Sequence, residues 1–507
     1  MVLAGPGLAR ASGTAPASRR RRSALTVAAA ACALSLAAYL ADMHRPGQPL
    51  DWYDLNVYNH AGLITRSLPR RLYTWQLTGG NKFTYTPFAA LVFAVGSLLP
   101  WAALRWLMTA GGLAALAGTV WLTLGGLGWQ GRRRVTAMLA LTAAALWLEP
   151  VQRALHLGQI ELLLMALIVW DVCRSDRQQW KGAGVGLAAG IKLVPLIFIP
   201  YLVLAGKFRQ AAVAAATFAA TVLLGFAVLP QESVKWWLTG YFLRANNVGD
   251  VGSLLNQSVY GMVVRAAGGV RAATPVWLGL AVVIAVLGLT AAALLHRRGQ
   301  PVAGWLACAV TGVLVSPVSW DHHWVWVVPT LVVLTDAAVR SRGARRLGGW
   351  LLAAALVVVY GNWPVHVSGP SALLPQGLLG FLTGPRTDHE KYHLHAMQVV
   401  TWNLYVLGGL ALLALAVAAA ASRARRAPPA PSATRLASAT RLASATRLAS
   451  ATRLASATRV ASATRVASAT RVASATRVAP AARSAPATRM TPVGAVPGRT
   501  EPGSPIL

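Results

Sequence analysis

Acidic residues are scarce in this chain. Asp and Glu number 14 among 507 residues, and charged residues of all kinds make up 12%. A soluble domain carries roughly 25%, so an ordinary water-facing surface is excluded. Cysteine is nearly missing too. Cys32, Cys173 and Cys308 lie within or at the ends of apolar runs with no CxxC spacing, which leaves no basis for a disulfide framework or a cysteine zinc site. Hydrophobic residues fill 55% of the chain, at a mean hydropathy of +0.51. Apolar runs of membrane-spanning length recur from Ala24 almost to Ala421. The fold class expected is therefore an all-α polytopic membrane protein, because in lipid each segment must satisfy its own backbone polar groups.

The net charge of +33 invites a nucleic-acid reading that its distribution excludes. From Arg423 onward there are fourteen arginines against one acid, Glu501. Most of the remaining excess sits in short clusters between apolar runs: Arg19 to Arg22, Arg132 to Arg134, Lys207 and Arg209, Arg297 and Arg298, and Arg340 to Arg346. Clusters at helix ends follow the positive-inside rule, and no basic face with stacking aromatics accompanies them. Arg20 to Arg22 before an apolar run also fits a signal peptide. The run continues to Leu40 without a clear cleavage site, so a retained first helix over 24–41 is expected.

With the basic clusters cytoplasmic, the segments between them alternate sides, giving about twelve spans with short external amphipathic helices. Three regions follow: a basic cytoplasmic N-terminus (1–23), a membrane catalytic domain (24–421) and a cytoplasmic tail (422–507). Between Pro87 and Arg132 two apolar runs, 88–99 and 102–127, must together cross an odd number of times. The stretch 182–204, holding Lys192, Pro195 and Pro200, must cross twice yet is too short for two full spans, so two half-length helices meeting near Lys192 are expected. The tail carries SATRLA and SATRVA hexads over 432–479. Their six-residue period matches no helical repeat, and one apolar residue per charge builds no core.

In this topology the unusual polar residues fall on the outer side: Asp51, Asp54, Lys82, Glu149, Gln152, His156, Gln159, Lys192, Asn256, Gln257, Asp321, His322, His323 and the later DHEKYHLH stretch. Any one of them reads most simply as a loop residue at headgroup level, but their shared sidedness favours a site, since ionisable groups at membrane depth are costly. Asp54 opens a short helical pattern among aromatics and suits a general base. Lys192 and the His322–His323 pair suit a phosphate. Chelation of one metal by both histidines is not expected, because neighbouring helical residues point about 100° apart. A base beside a phosphate-neutralising group on a lipid-facing fold suggests transfer from a lipid phosphate.

Five segments, in order, carry a resemblance: DLNVYNHAG followed by LYTWQLTGGNKFTYTPFAAL, GQIELLLMALIVWD, GLAAGIKLVPLIFIPYLVLAGKFRQA, NQSVYGMVVR and SPVSWDHHWVW. Over roughly 25–415 the chain resembles the actinobacterial polyprenyl-phosphate-mannose-dependent α-(1→2)-mannosyltransferases, glycosyltransferase family 87 of the GT-C class. The resemblance implies a GT-C fold, an extracytoplasmic site, and the Asp of DLxVY, here Asp54, as base. It implies a polyprenyl-phosphate mannose donor, a lipid-linked mannoside or glycan acceptor, and neither nucleotide sugar nor cofactor nor metal. His322, with His323 as second choice, is then expected at the donor phosphate, with Lys192 and Lys82 supporting it. Asp51, Tyr58, Gln159, Asn256 and Gln257 are expected on the acceptor side, and Asp51 is also the competing base. Two departures stand out: Thr86 replaces a proline of the usual FTYPPF, and Asp321 replaces the usual Ser before the histidines, where it favours an imidazolium at His322. The rival reading is a lipid-linked sugar transporter or flippase. It predicts internal repeats and midplane charges, and the membrane region shows no such repeat.

Overall fold

The computed structural model describes residues 15–43, 52–76, 82–362, 391–392 and 396–424. Asp51, most of the DHEKYHLH stretch and the hexad tail lie outside them. Among the described residues the regular elements are helices: α1 (Ala15–Met43), α2 (Tyr53–Ser67), α3 (Pro87–Gly96), α4 (Trp101–Gly126), α5 (Gly131–Ala145), α6 (Glu149–His156), α7 (Glu161–Cys173), α8 (Ala183–Ile191), α9 (Phe198–Leu204), α10 (Phe208–Val228), α11 (Pro230–Ser233), α12 (Val259–Ala266), α13 (Val270–Arg297), α14 (Pro301–Val315), α15 (Val327–Arg340), α16 (Gly343–Tyr360), α17 (Ala396–Thr401) and α18 (Leu404–Ala424). Counting α15 together with the 3-10 segment before it (321–340), seven helices are long and apolar enough to cross a membrane, or eight if the bent pair α6–α7 is one span. Their outer faces stay apolar: Val276, Val282 and Val286 on α13 and Leu223 and Val228 on α10 are all exposed. Such faces suit lipid and not water. The chain is thus a multi-pass membrane protein.

Not all of the twelve expected spans reach spanning length. The ten residues of α3 rise about 15 Å, half the hydrocarbon thickness. In the stretch between Pro87 and Arg132 only α4, with 26 residues, is long enough. The segment between α10 and α13 holds α11, a π turn, short 3-10 turns and α12. The break expected at Lys192 is present. α8 ends at Ile191, Lys192 is extended (φ −136°, ψ 132°), and a 3-10 turn (Val194–Ile197) with Pro195 at its start leads into α9.

Several basic turns are tied together by hydrogen bonds. Asp176 accepts from Lys181 (2.8 Å) and Lys207 (2.6 Å), and Arg209 donates to the Gln178 and Gln179 carbonyls. Electrostatic contact with both lysines holds the Asp176 carboxyl well below the ordinary carboxylate range, against the burial that raises it. Asp336 receives Trp129 Nε1 at 2.6 Å and Arg340 Nε at 2.5 Å, joining the turn before α5 to the end of α15. α7 then runs from the Arg174 turn back to Glu161, at its other end.

Candidate active site

The site is built around the elbow between α6 and α7, which meet at 117°. Pro150 starts α6 and Gly158 ends it with φ +66°. A Cβ on Gly158 would lie 2.6 Å from Leu55 Cβ, so only glycine allows α2 to dock there. The docking uses backbone. Asp54 N–H and Leu55 N–H both donate to the Leu157 carbonyl at 3.1 Å, and Trp52 N–H donates to the His156 carbonyl at 3.0 Å. Open donors at the start of α2 are thereby satisfied without a side-chain cap. Trp52 is the one described non-glycine residue with positive φ (61°), a strain of about 1 kcal/mol or more that buried packing must sustain.

Asp54 is half-buried in the first turn of α2, where the helix dipole favours its charged form. Burial raises its carboxyl pKa, His322 lowers it, a hydrogen bond from Gln159 lowers it, Glu161 raises it and Lys192 lowers it; the net direction is up. Gln159 is held in orientation. Its Oε1 accepts from Tyr58 Oη at 2.5 Å and from Tyr85 Oη at 3.4 Å, which leaves the amide N–H groups for Asp54. Tyr58, expected at the acceptor, is buried and stacks on Phe93, and its hydroxyl is engaged by Gln159 and Tyr85.

Lys192, at the helix break, forms an ion pair with Glu161 Oε1 and donates to His323 Nε2 at 2.9 Å. An ammonium only donates, so His323 Nε2 is an acceptor there, and the other side of the ring hydrogen-bonds the Val318 backbone. His322 is arranged differently. Its Nδ1 lies 3.1 Å from Asp321 Oδ1, which also accepts the His322 N–H at 2.8 Å. Its Nε2 is buried with no hydrogen-bond partner among the described residues. Asp321 is braced by Arg153 at 3.2 Å. His322 is therefore the histidine with a nitrogen free for a ligand.

The two histidine rings nevertheless lie close, 4.7 Å apart and edge to face, and nitrogens of both lie with a Glu161 oxygen within 4.8 Å of one another. A cation held by all three would have to displace the Lys192 ammonium from Glu161 and His323.

A cavity of about 50 Å³ adjoins this cluster. Glu161, Lys192, Ser319 and His323 form its polar wall, and Leu164, Met165, Ile168, Phe198, Val313 and Trp326 are among its apolar lining.

Asn256 and Gln257, expected on the acceptor side, are not among the residues that line the cavity. Both are fully buried and bonded to backbone. Asn256 Nδ2 donates to the Val251 and Pro317 carbonyls (2.9 and 3.1 Å), and its Oδ1 accepts from Ser319 N–H (2.9 Å). Gln257 Nε2 donates to the Leu254 and Trp402 carbonyls, both at 2.8 Å. They brace the loop that carries the histidines and do not face the cavity. Lys82 pairs as a bridge with Gln76, and no hydrogen bond or ion pair joins it to the cluster among the described residues. Thr86 has a local explanation: its hydroxyl caps α3 at Ala89 N–H (3.1 Å) and hydrogen-bonds the Gly190 carbonyl, two residues before Lys192.

Glu161 is the member of this cluster missed from sequence. The signal was there, a carboxylate opening the apolar run ELLLMALIVW, and the rule applied to the other intramembrane ionisable groups selects it.

The sequence profile of glycosyltransferase family 87 matches residues 83–317, which takes in Gln159, Glu161 and Lys192 and stops short of Asp54 and His322. The polyprenol-phosphate-mannose-dependent alpha-(1-2)-phosphatidylinositol pentamannoside mannosyltransferase of Mycobacterium tuberculosis (strain CDC 1551 / Oshkosh) is 33% identical over 365 residues, 71% of this chain and 82% of the relative. Its namesake from Mycolicibacterium smegmatis (strain ATCC 700084 / mc(2)155) is 34% identical over 293 residues, 57% of this chain and 69% of the relative. A polyprenol-phosphate-mannose-dependent alpha-(1-2)-phosphatidylinositol mannoside mannosyltransferase of Mycobacterium tuberculosis (strain ATCC 25618 / H37Rv) is 31% identical over 272 residues, 51% of this chain and 63% of the relative. No solved structure matches the chain. One third identical to a relative whose length it covers by 82%, and matched by the family profile through its central helices, the chain belongs to glycosyltransferase family 87.

Proposed function

We propose that the protein transfers mannose from polyprenyl-phosphate mannose to a lipid-linked mannoside on the extracytoplasmic face of the membrane, with residues 24–421 as the catalytic unit and both termini cytoplasmic. The observation that carries this reading is the cavity whose polar wall holds Lys192, Ser319 and His323 above apolar walls. Such a polar wall over apolar surface suits a phosphate on a prenyl chain, and Asp54 lies near enough to feel the charges of Lys192 and His322. The relatives are named as transferases using this donor, with phosphatidylinositol mannosides as acceptors, and nothing in those names supports the flippase reading.

In the proposed reaction the acceptor hydroxyl oxygen attacks the anomeric carbon of mannose as Asp54 takes its proton. The bond from that carbon to the phosphate oxygen breaks, and polyprenyl phosphate leaves with the electron pair. A single displacement inverts the anomeric centre and turns a β-linked donor into an α-mannoside. Lys192 and the free nitrogen of His322 face the developing phosphate charge, where fixed donors lower the barrier most. Gln159 holds the Asp54 carboxylate in line, and Asp321 holds the His322 ring.

The test is reconstitution of purified protein in liposomes with polyprenyl-phosphate mannose and a phosphatidylinositol mannoside. Asp54→Asn should lower kcat by about 10²-fold or more, the usual scale for losing a general base, while donor binding persists. Wild-type turnover in that variant would remove Asp54 from the role, and Asp51→Asn made alongside it would show which carboxylate is indispensable.

A further inference from the structure

Glu161 has no task in the transfer as described, and a carboxylate beside the seat of a departing phosphate opposes it. Its position is nevertheless built. It is 7% exposed at the first position of α7, its Oε1 holds Lys192 and lies 3.3 Å from His323 Nε2, and its Oε2 has no hydrogen-bond partner among the described residues. Glu161 and Lys192 line the same cavity, so whatever anion enters there meets the ammonium already engaged.

We infer that Glu161 is a positioning residue that competes with the phosphate for Lys192 and so unloads polyprenyl phosphate after each transfer. This rests on the donor assignment above. The donor is a phosphodiester with one negative charge, whereas the product is a monoester carrying about −1.5 to −2 at neutral pH. A pocket answering the phosphate with an uncompensated lysine would hold the product more tightly than the donor and stall. With Glu161 attached to Lys192, the ammonium swings to the phosphate as charge develops and returns to the carboxylate as the phosphate departs. The cost falls on product and donor binding, not on the transition state alone.

The test uses full-length protein in detergent, farnesyl phosphate as the product probe and farnesyl-phosphate mannose as donor. Glu161→Gln is expected to bind farnesyl phosphate about tenfold tighter than wild type. It should also lower kcat and donor KM together, leaving kcat/KM within about twofold, and show a burst of one mannoside per enzyme, the signature of slow release. Unchanged or weaker farnesyl phosphate binding, or a fall in kcat/KM at constant KM, overturns the inference and makes Glu161 a strut for Lys192. Glu161→Asp keeps the charge at shorter reach and serves if the glutamine variant does not fold. Its product affinity should fall between the two, and an affinity at or below that of wild type overturns the inference equally. Binding is read without turnover. A wild-type protein that binds farnesyl phosphate but transfers no mannose therefore sinks the functional reading, separately from this one.

Discussion

Gln159 Oε1 accepts from Tyr58 Oη at 2.5 Å, which blocks the flip of this buried amide and leaves its N–H groups to hydrogen-bond the Asp54 carboxylate. The hydrogen bond favours the charged carboxylate and lowers its pKa, against burial that raises it. Activity requires the ionised form, so the acid limb of kcat/KM should lie above the ordinary Asp value of about 3.9. Gln159→Leu removes a contribution that lowers the pKa, and the limb should move to higher pH by about one unit. A pH profile of kcat/KM in liposomes measures this. A limb that stays in place would mean that Asp54 is not the group titrating.

Asn256 ties the NQS segment to the SPVSWDHHW loop through bonds to Val251, Pro317 and Ser319. Asn256→Ala strands the buried Ser319 N–H and two carbonyls, a loss of about 2–4 kcal/mol. Thermal unfolding followed by tryptophan fluorescence in detergent should show a lower midpoint, with activity falling in parallel. If the midpoint holds and only acceptor KM rises, Asn256 touches acceptor after all.

Much of this arrangement was legible in the sequence. Asp54, Lys192 and His322 do converge, because ionisable groups within apolar runs find one another or go unpaired. The break at Lys192 followed from two prolines in a run too short to cross twice. For Asn256, Gln257 and Tyr58 the sequence registers that a polar residue is buried but not whether backbone, side chain or ligand satisfies it. Composition alone does not fix the span count, because apolarity hides length: α3 is as apolar as any span and stops after ten residues. The joining of α2 to the elbow rests on the positive φ of Gly158 and on backbone bonds to Leu157, which leave no side-chain pattern to read.

Gly158→Ala tests that joint. The added methyl meets Leu55 Cβ at 2.6 Å in a left-handed conformation that itself costs an L-residue about 1–2 kcal/mol. The local response is for the first turn of α2 to back away, carrying Asp54 with it. A fall in kcat larger than the loss in melting temperature accounts for is expected, with farnesyl phosphate binding at Lys192 largely kept. Equal losses in both would mean that the elbow supports the whole fold and not Asp54 in particular.

Thr86 offers the sharpest comparison between two substitutions at one position. Its φ of −64° already suits a proline, and no partner for its own N–H is recorded among the described residues. Thr86→Pro therefore fits the backbone and restores the residue usual in the resembling family, but removes the hydroxyl that caps Ala89 N–H and binds the Gly190 carbonyl. Thr86→Ala loses the same two bonds, about 1 kcal/mol for the cap, without the entropic gain of a rigid residue in the unfolded chain. The proline variant should melt at or near the wild-type temperature and the alanine variant below it, both measured in the same detergent. Activity supplies the second readout. If the Gly190 bond helps to hold the break before Lys192, both variants should lose donor affinity to a similar degree despite their different melting temperatures. Full donor affinity in both would confine Thr86 to capping α3.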